Sequence, residues 1–144
     1  MSQLIAPYIS NSEYGCTHCG NLPVDLYDRD GELNTPYALF FDTFRAIREL
    51  WGRAIPVISG YRCPDHNKTV GGEDLSAHLF GLALDLDCKD ADEVEMLKNT
   101  IILIHPELRI GTYVIGKSFI HIDSAYLIYP RATLDWQEGV RWTK

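Results

Sequence analysis

The chain has 144 residues, 46% of them apolar and 23% charged, the proportions of one ordinary globular domain spanning residues 1–144. A net charge of −7 argues against a nucleic-acid partner, whose footprint is a basic patch. No apolar run approaches the ~20 residues a membrane-spanning helix requires, so no membrane partner is expected.

Residues 8–34 hold Gly15, Gly20, Pro23, Asp28, Asp30 and Gly31, turn formers that predict a segment wrapped loosely over the core. Asn34 or Thr35 then caps a helix with Pro36 at its first position and Gly52 at its end. Leu39, Phe40, Phe44, Ile47 and Trp51 form its apolar stripe. Ile55 to Arg62 reads as a strand running into a loop with Pro64, Gly71 and Gly72. From Leu82 to Asp87 the chain alternates strictly, with Leu82, Leu84 and Leu86 on one face and Ala83, Asp85 and Asp87 on the other. A second helix starts at Asp90, with Glu93 placed as in a capping box, and ends before Pro106. Strands at Arg109–Val114 and Phe119–Asp123 follow. Both hairpin-length turns and helices connect the strands. The expected class is therefore α+β, a small, mostly antiparallel sheet with helices packed on one side.

An acid in mid-strand such as Asp85 needs a partner to be tolerated. His78 lies upstream of it, and His121 and Asp123 share one face of the last strand, their Cα atoms ~7 Å apart. Two imidazoles and one carboxylate are what a catalytic zinc takes while its fourth position stays open. Either of His121 and Asp123 can then bind a metal held by His78 and Asp85, while the other stands beside it.

Around these residues the chain resembles a known family. Ser76-Ala77-His78-Leu79-Phe80-Gly81-Leu82-Ala83-Leu84-Asp85 followed by His121-Ile122-Asp123 is similar to the pattern of zinc D-Ala-D-Ala carboxypeptidases and phage peptidoglycan endopeptidases. These are relatives of the sonic hedgehog amino-terminal domain. Ser59 to Asn67, Val70-Gly71-Gly72 and Ser12-Glu13-Tyr14-Gly15-Cys16 match as well, so the likeness runs from about Tyr8 to Asp123. It implies a hedgehog-like peptidase fold with one Zn2+ on His78, Asp85 and His121. It also implies that Arg62 receives a substrate carboxylate or carbonyl, and that the substrate is a peptidoglycan stem peptide cut next to D-alanine. Carboxypeptidase and endopeptidase action are both compatible with it.

One departure stands out. Family members often carry an acid three or six residues before the last histidine ligand, and here those positions are Ser118 and Ile115. Asp123 is the expected replacement as general base, with Asp87 as second choice. Orienting His121 is the alternative task for Asp123. Ser76 is a candidate to bind substrate or to cap the turn after Asp74, and Tyr113 to line the cleft and stabilise an oxyanion. His66 reads as a loop histidine beside Arg62, His105 as a helix-end residue, and His18 has no assignment. The missing acid keeps two other readings open: a zinc-binding module without hydrolysis, and a phage structural protein with the same fold.

The four cysteines are Cys16, Cys19, Cys63 and Cys88. Cys16-Thr17-His18-Cys19 offers two close thiols, with a shared four-cysteine site as a weak possibility and reduced thiols as the default. Met1 to Pro7 lacks a basic or long apolar stretch, so the expectation is cytoplasmic synthesis without a signal peptide, as for a phage or prophage lysin that acts on the wall after release. A monomer is expected.

Overall fold

In the computed structural model, which describes residues 2–73, 76–127 and 138–144, the alternation of Leu82–Asp87 organises the molecule. Strands β1 (Leu4–Ala6) and β2 (Ile9–Ser10) form a small antiparallel pair that leads into the short helix α1 (Asn11–Tyr14). Helix α2 (Thr35–Trp51), strand β3 (Val57–Ser59) and helix α3 (Pro64–Thr69) follow. A 3-10 turn at Ala77–Phe80 then feeds strand β4 (Ala83–Asp87), helix α4 (Ala91–Ile104), and strands β5 (Arg109–Tyr113), β6 (Phe119–Asp123) and β7 (Arg141–Thr143). The main sheet has the order β3-β4-β6-β5-β7. Its pairs are antiparallel except β5 with β7, which run parallel.

The pleat separates two surfaces. Leu84, Leu86, Ile110, Ile120 and Ile122 are each no more than 1% exposed. They pack in one core with Phe40, Phe44 and Ile47 of α2 and Val94, Leu97 and Ile101 of α4. The opposite face carries Asp85 and His121 directly across from each other, with Gly111 next in line on β5. Helix α2 ends at Gly52 in the left-handed region, and Asp90 caps α4 by accepting the Glu93 N–H.

Several expectations need correction. Residues 8–34 are wrapped loosely only in part: residues 17–21 and 27–32 are exposed, but Ile9, Tyr14 and Leu26 are fully buried, the Tyr14 hydroxyl reaching the turn that precedes β4. Leu39 is exposed, while Tyr37 and Phe41 are buried with Phe40, since α2 meets both the sheet and α4 through a wide face. The strand expected at Ile55–Arg62 narrows to β3. A register shift interrupts its pairing with β4, and beyond it the Tyr61 and Arg62 N–H groups donate to Tyr14 O and His78 O instead. The loop expected at Pro64–Gly72 contains α3, and β7 had no strand signal strong enough to be read.

Gly81 sits at φ +72, and a Cβ there would lie 2.3 Å from Tyr14 Oη, whose hydroxyl donates to the Gly81 carbonyl at 2.6 Å. Gly81→Ala combines left-handed strain with this clash. It should lower unfolding free energy by at least ~1–2 kcal/mol in urea titrations; an unchanged midpoint would show that the turn relaxes freely.

Candidate metal centre

His78 reaches the polar face from the Ala77–Phe80 turn, which is held at its start by Ser76 Oγ accepting the His78 N–H at 3.2 Å. Its Nδ1 lies 2.6 Å from Gly60 O, and a carbonyl only accepts, so this nitrogen carries the proton. Nε2 is then the nitrogen left facing Asp85 Oδ1, at 3.3 Å. His121 Nδ1 approaches the same oxygen at 3.1 Å. The three donor atoms lie within 4.8 Å of one another, and all three residues are buried. The rings meet edge-on, with centroids 5.0 Å apart.

Burial alone would push the Asp85 carboxyl up, but hydrogen bonds from His121 and His78 hold it well below the usual carboxylate range. Burial works against a charged His121 as well, yet Asp123 and Asp85 overcome it and raise the imidazole to about 9.

Asp123 does not stand beside the three converging donor atoms. It is 1% exposed. Its Oδ2 lies 2.6 Å from His121 Nε2, and its Oδ1 accepts the Ala125 N–H at 3.2 Å and lies 3.5 Å from Arg109 Nη1. Sharing a strand face brought the two residues together, but the imidazole fills the space between, so the carboxylate meets the nitrogen that points away from Asp85. That geometry serves to orient the ring rather than to take a proton from water.

Arg62 leaves the end of β3 half-buried. Its Nη1 donates to Asn67 Oδ1 at 2.9 Å, and Asn67 in turn donates to Glu73 O. Burial disfavours its charged form and Asp85 favours it, which places the guanidinium within the field of the centre. Tyr113 is on the same sheet face as His121, stacked on Phe119 with centroids 4.3 Å apart, and its hydroxyl accepts the Trp142 indole N–H at 2.8 Å. Ser76 acts as a turn cap; Asp74, after which that turn was placed, lies outside the described residues. Asp87 is half-exposed on the same face as Asp85, opposite Phe119. His105 pairs with Glu107 at the end of α4, and His18 and His66 stack on each other; none of the three joins the centre. Ser118 carries no acid, and its carbonyl accepts the Cys88 N–H; Ile115 is 85% exposed.

Sequence reasoning missed the supports. Gly60 contributes a carbonyl, which no side-chain pattern reveals. Trp142 of β7 lies 5.3 Å from the His121 ring and under Arg109, forming a wall of the site. The available signal was Gly111, an isolated glycine in a strand. A Cβ there would lie 2.4 Å from the Trp142 indole.

Two tests follow from these supports. Asp123→Asn should fold normally but bind zinc ~10–100-fold more weakly in competition titrations, because the ring loses its anchor. Loss of hydrolysis with undiminished zinc affinity would instead restore Asp123 as base. The second concerns pH. A raised histidine stabilises the fold below its unfolded value of ~6.5, and a depressed aspartate does so above ~3.9. The chelator-treated protein should therefore be most stable at pH ~4–6.5 and lose that increment as pH rises through about 9, as read by urea unfolding.

A family model described as Peptidase M15 matches residues 13–123, a span that includes Arg62, His78, Asp85, His121 and Asp123. No curated protein matches the chain significantly.

Proposed function

The chain belongs to the peptidase M15 family, and we propose that it is a zinc-dependent hydrolase of peptide bonds in bacterial peptidoglycan, cutting next to D-alanine in the stem peptides. The observation that carries the reading is the convergence of His78 Nε2, Asp85 Oδ1 and His121 Nδ1, with the outer nitrogen of each ring held by an acceptor. Two backed imidazoles and one carboxylate fit zinc and leave a position open. Bound there, zinc would lower the pKa of a coordinated water to about 7 and polarise a carbonyl.

The chain's own residues would do the rest. Arg62, braced by Asn67, presents a planar fork to a substrate carboxylate or carbonyl oxygen. Tyr113 accepts the Trp142 N–H, which leaves its own hydroxyl proton to donate to a developing oxyanion. Ser76 supports His78 through its backbone and so acts on the ligand rather than on substrate. With Asp123 committed to His121, Asp87 is the carboxylate to which we assign proton transfer, since it shares the face of Asp85 and keeps partial exposure. Action on the wall as a monomer, after release from the cytoplasm, belongs to the same proposal.

The burial of Asp123 and the absence of an acid at Ser118 favour one other reading, a zinc-binding module without hydrolysis. Mass spectrometry of peptidoglycan and soluble stem peptides incubated with zinc-quantified protein separates the two. New amine ends that vanish with chelator and return with zinc are expected, and their positions distinguish carboxypeptidase from endopeptidase. Bound zinc with no product from any stem peptide would establish the inactive module. Arg62→Ala should keep its zinc and lose ~10–100-fold in kcat/KM, the size of a lost hydrogen bond to a charged group.

A further inference from the structure

A second group of metal-binding side chains lies away from that centre. The sulfurs of Cys16, Cys19 and Cys63 are within 4.8 Å of one another. A tetrahedron with Zn–S bonds of ~2.3 Å has edges of ~3.8 Å, so little movement separates these thiols from coordination. Two segments supply them with the same spacing, Cys16-Thr17-His18-Cys19 and Cys63-Pro64-Asp65-His66. Paired ligands with two residues between them are how structural zinc sites are commonly built.

The backbone is arranged around the sulfurs. The first segment closes as a tight turn, the Gly20 N–H donating to Cys16 O at 2.7 Å with Gly20 at φ +74. The Cys63 N–H donates to Cys16 Sγ at 3.4 Å, linking the two segments. The His66 N–H donates to Cys63 Sγ, also at 3.4 Å. Such N–H···S bonds favour a sulfur that carries negative charge. His66 itself lies over the Cys16–Cys19 turn, its Nε2 3.2 Å from Thr17 Oγ1 and its ring stacked on His18 with centroids 5.6 Å apart. Cys88 takes no part: it is buried in the main core, its Sγ facing Leu86 O.

We propose that Cys16, Cys19, Cys63 and His66 hold a second, structural zinc ion, with a turn of the His66 ring about its side-chain bonds supplying the fourth donor. The ion clips the segment after α1 to the loop between β3 and α3. That loop, residues 60–63, carries Arg62 and is also joined to α1 by the Tyr61 N–H to Tyr14 O bond at 2.6 Å. The clip therefore holds in place the residue that meets substrate, while four closed ligands leave no room for chemistry at this ion.

Cobalt substitution of the full chain tests this apart from activity, because only thiolate ligands give an intense sulfur-to-cobalt charge-transfer band. The band is expected in the parent chain and in Asp85→Ala, with zinc contents of two and one per chain. In Cys16→Ser/Cys19→Ser the band should vanish while one zinc stays. Should that variant fail to fold, alkylation of the parent chain decides: zinc should protect Cys16, Cys19 and Cys63 until chelator is added. No sulfur-to-cobalt band in the parent, or thiols equally reactive with and without zinc, would overturn the site. His66→Ala should shift the cobalt d–d bands and weaken binding; an unchanged spectrum would remove His66 from the ligand set. A chain that shows the band but cuts no stem peptide would leave this clip standing and refute the proposed hydrolysis, so the two failures read differently.

Discussion

A carboxylate buried in the middle of a strand is the constraint around which the molecule is arranged. Asp85 is 8% exposed between leucines that are fully buried, and an isolated charge in that position would be driven to its neutral form. It stays ionised because two imidazoles share its Oδ1. Each imidazole in turn depends on an acceptor behind it, Gly60 O for His78 and Asp123 for His121. Asp123 is satisfied by the Ala125 N–H and by Arg109, which lies against Trp142. The compensation passes outward through fixed hydrogen bonds, so the arrangement of Asp85, His78 and His121 is held by the protein's own groups.

The fold makes that chain of contacts stiff. On the far side of the sheet, α2 and α4 bury the alternate residues of β4, β5 and β6, which prevents a slip of register. A slip of one residue would send Asp85 and His121 into the apolar core. On the near side, Tyr14 ties the amino-terminal segment to Gly81 and Tyr61, so the turn that carries His78 and the loop that carries Arg62 share one brace. The tight approach at Gly81 and the flat packing of Trp142 on Gly111 are consequences of the same closeness. Positions without a Cβ let backbone and aromatic rings approach the site where a side chain would hold them off.

Much of this was legible because the relevant signals are local. Period-2 alternation placed Asp85, His121 and Asp123 on one sheet face, and helix caps at Asp90 and Gly52 marked boundaries the structure keeps. Signals that involve the backbone of a distant segment were not legible. Gly60 O, the Tyr14 brace and the parallel addition of β7 arise from chain paths that no short window encodes. Leu39 was misplaced for a related reason: α2 has apolar residues around more than half its circumference, and only the position of the sheet chooses which of them is buried.

The amino-acid sequence by itself determined the chemistry available: which residues alternate, where acids and imidazoles fall on strands, and which cysteines and histidines stand two residues apart. Tertiary structure alone decided how those groups are used. Strand periodicity says that His121 and Asp123 share a face, but not that the ring lies between the carboxylate and the other donors. That order sets the expected base against the outer nitrogen of His121. Sequence spacing likewise leaves Cys63 far from Cys16, whereas the bond from the Cys63 N–H to the Cys16 sulfur requires the fold to bring the two loops together. Covalent order fixes type and local direction; distance between remote groups is set by packing, which depends on every element at once.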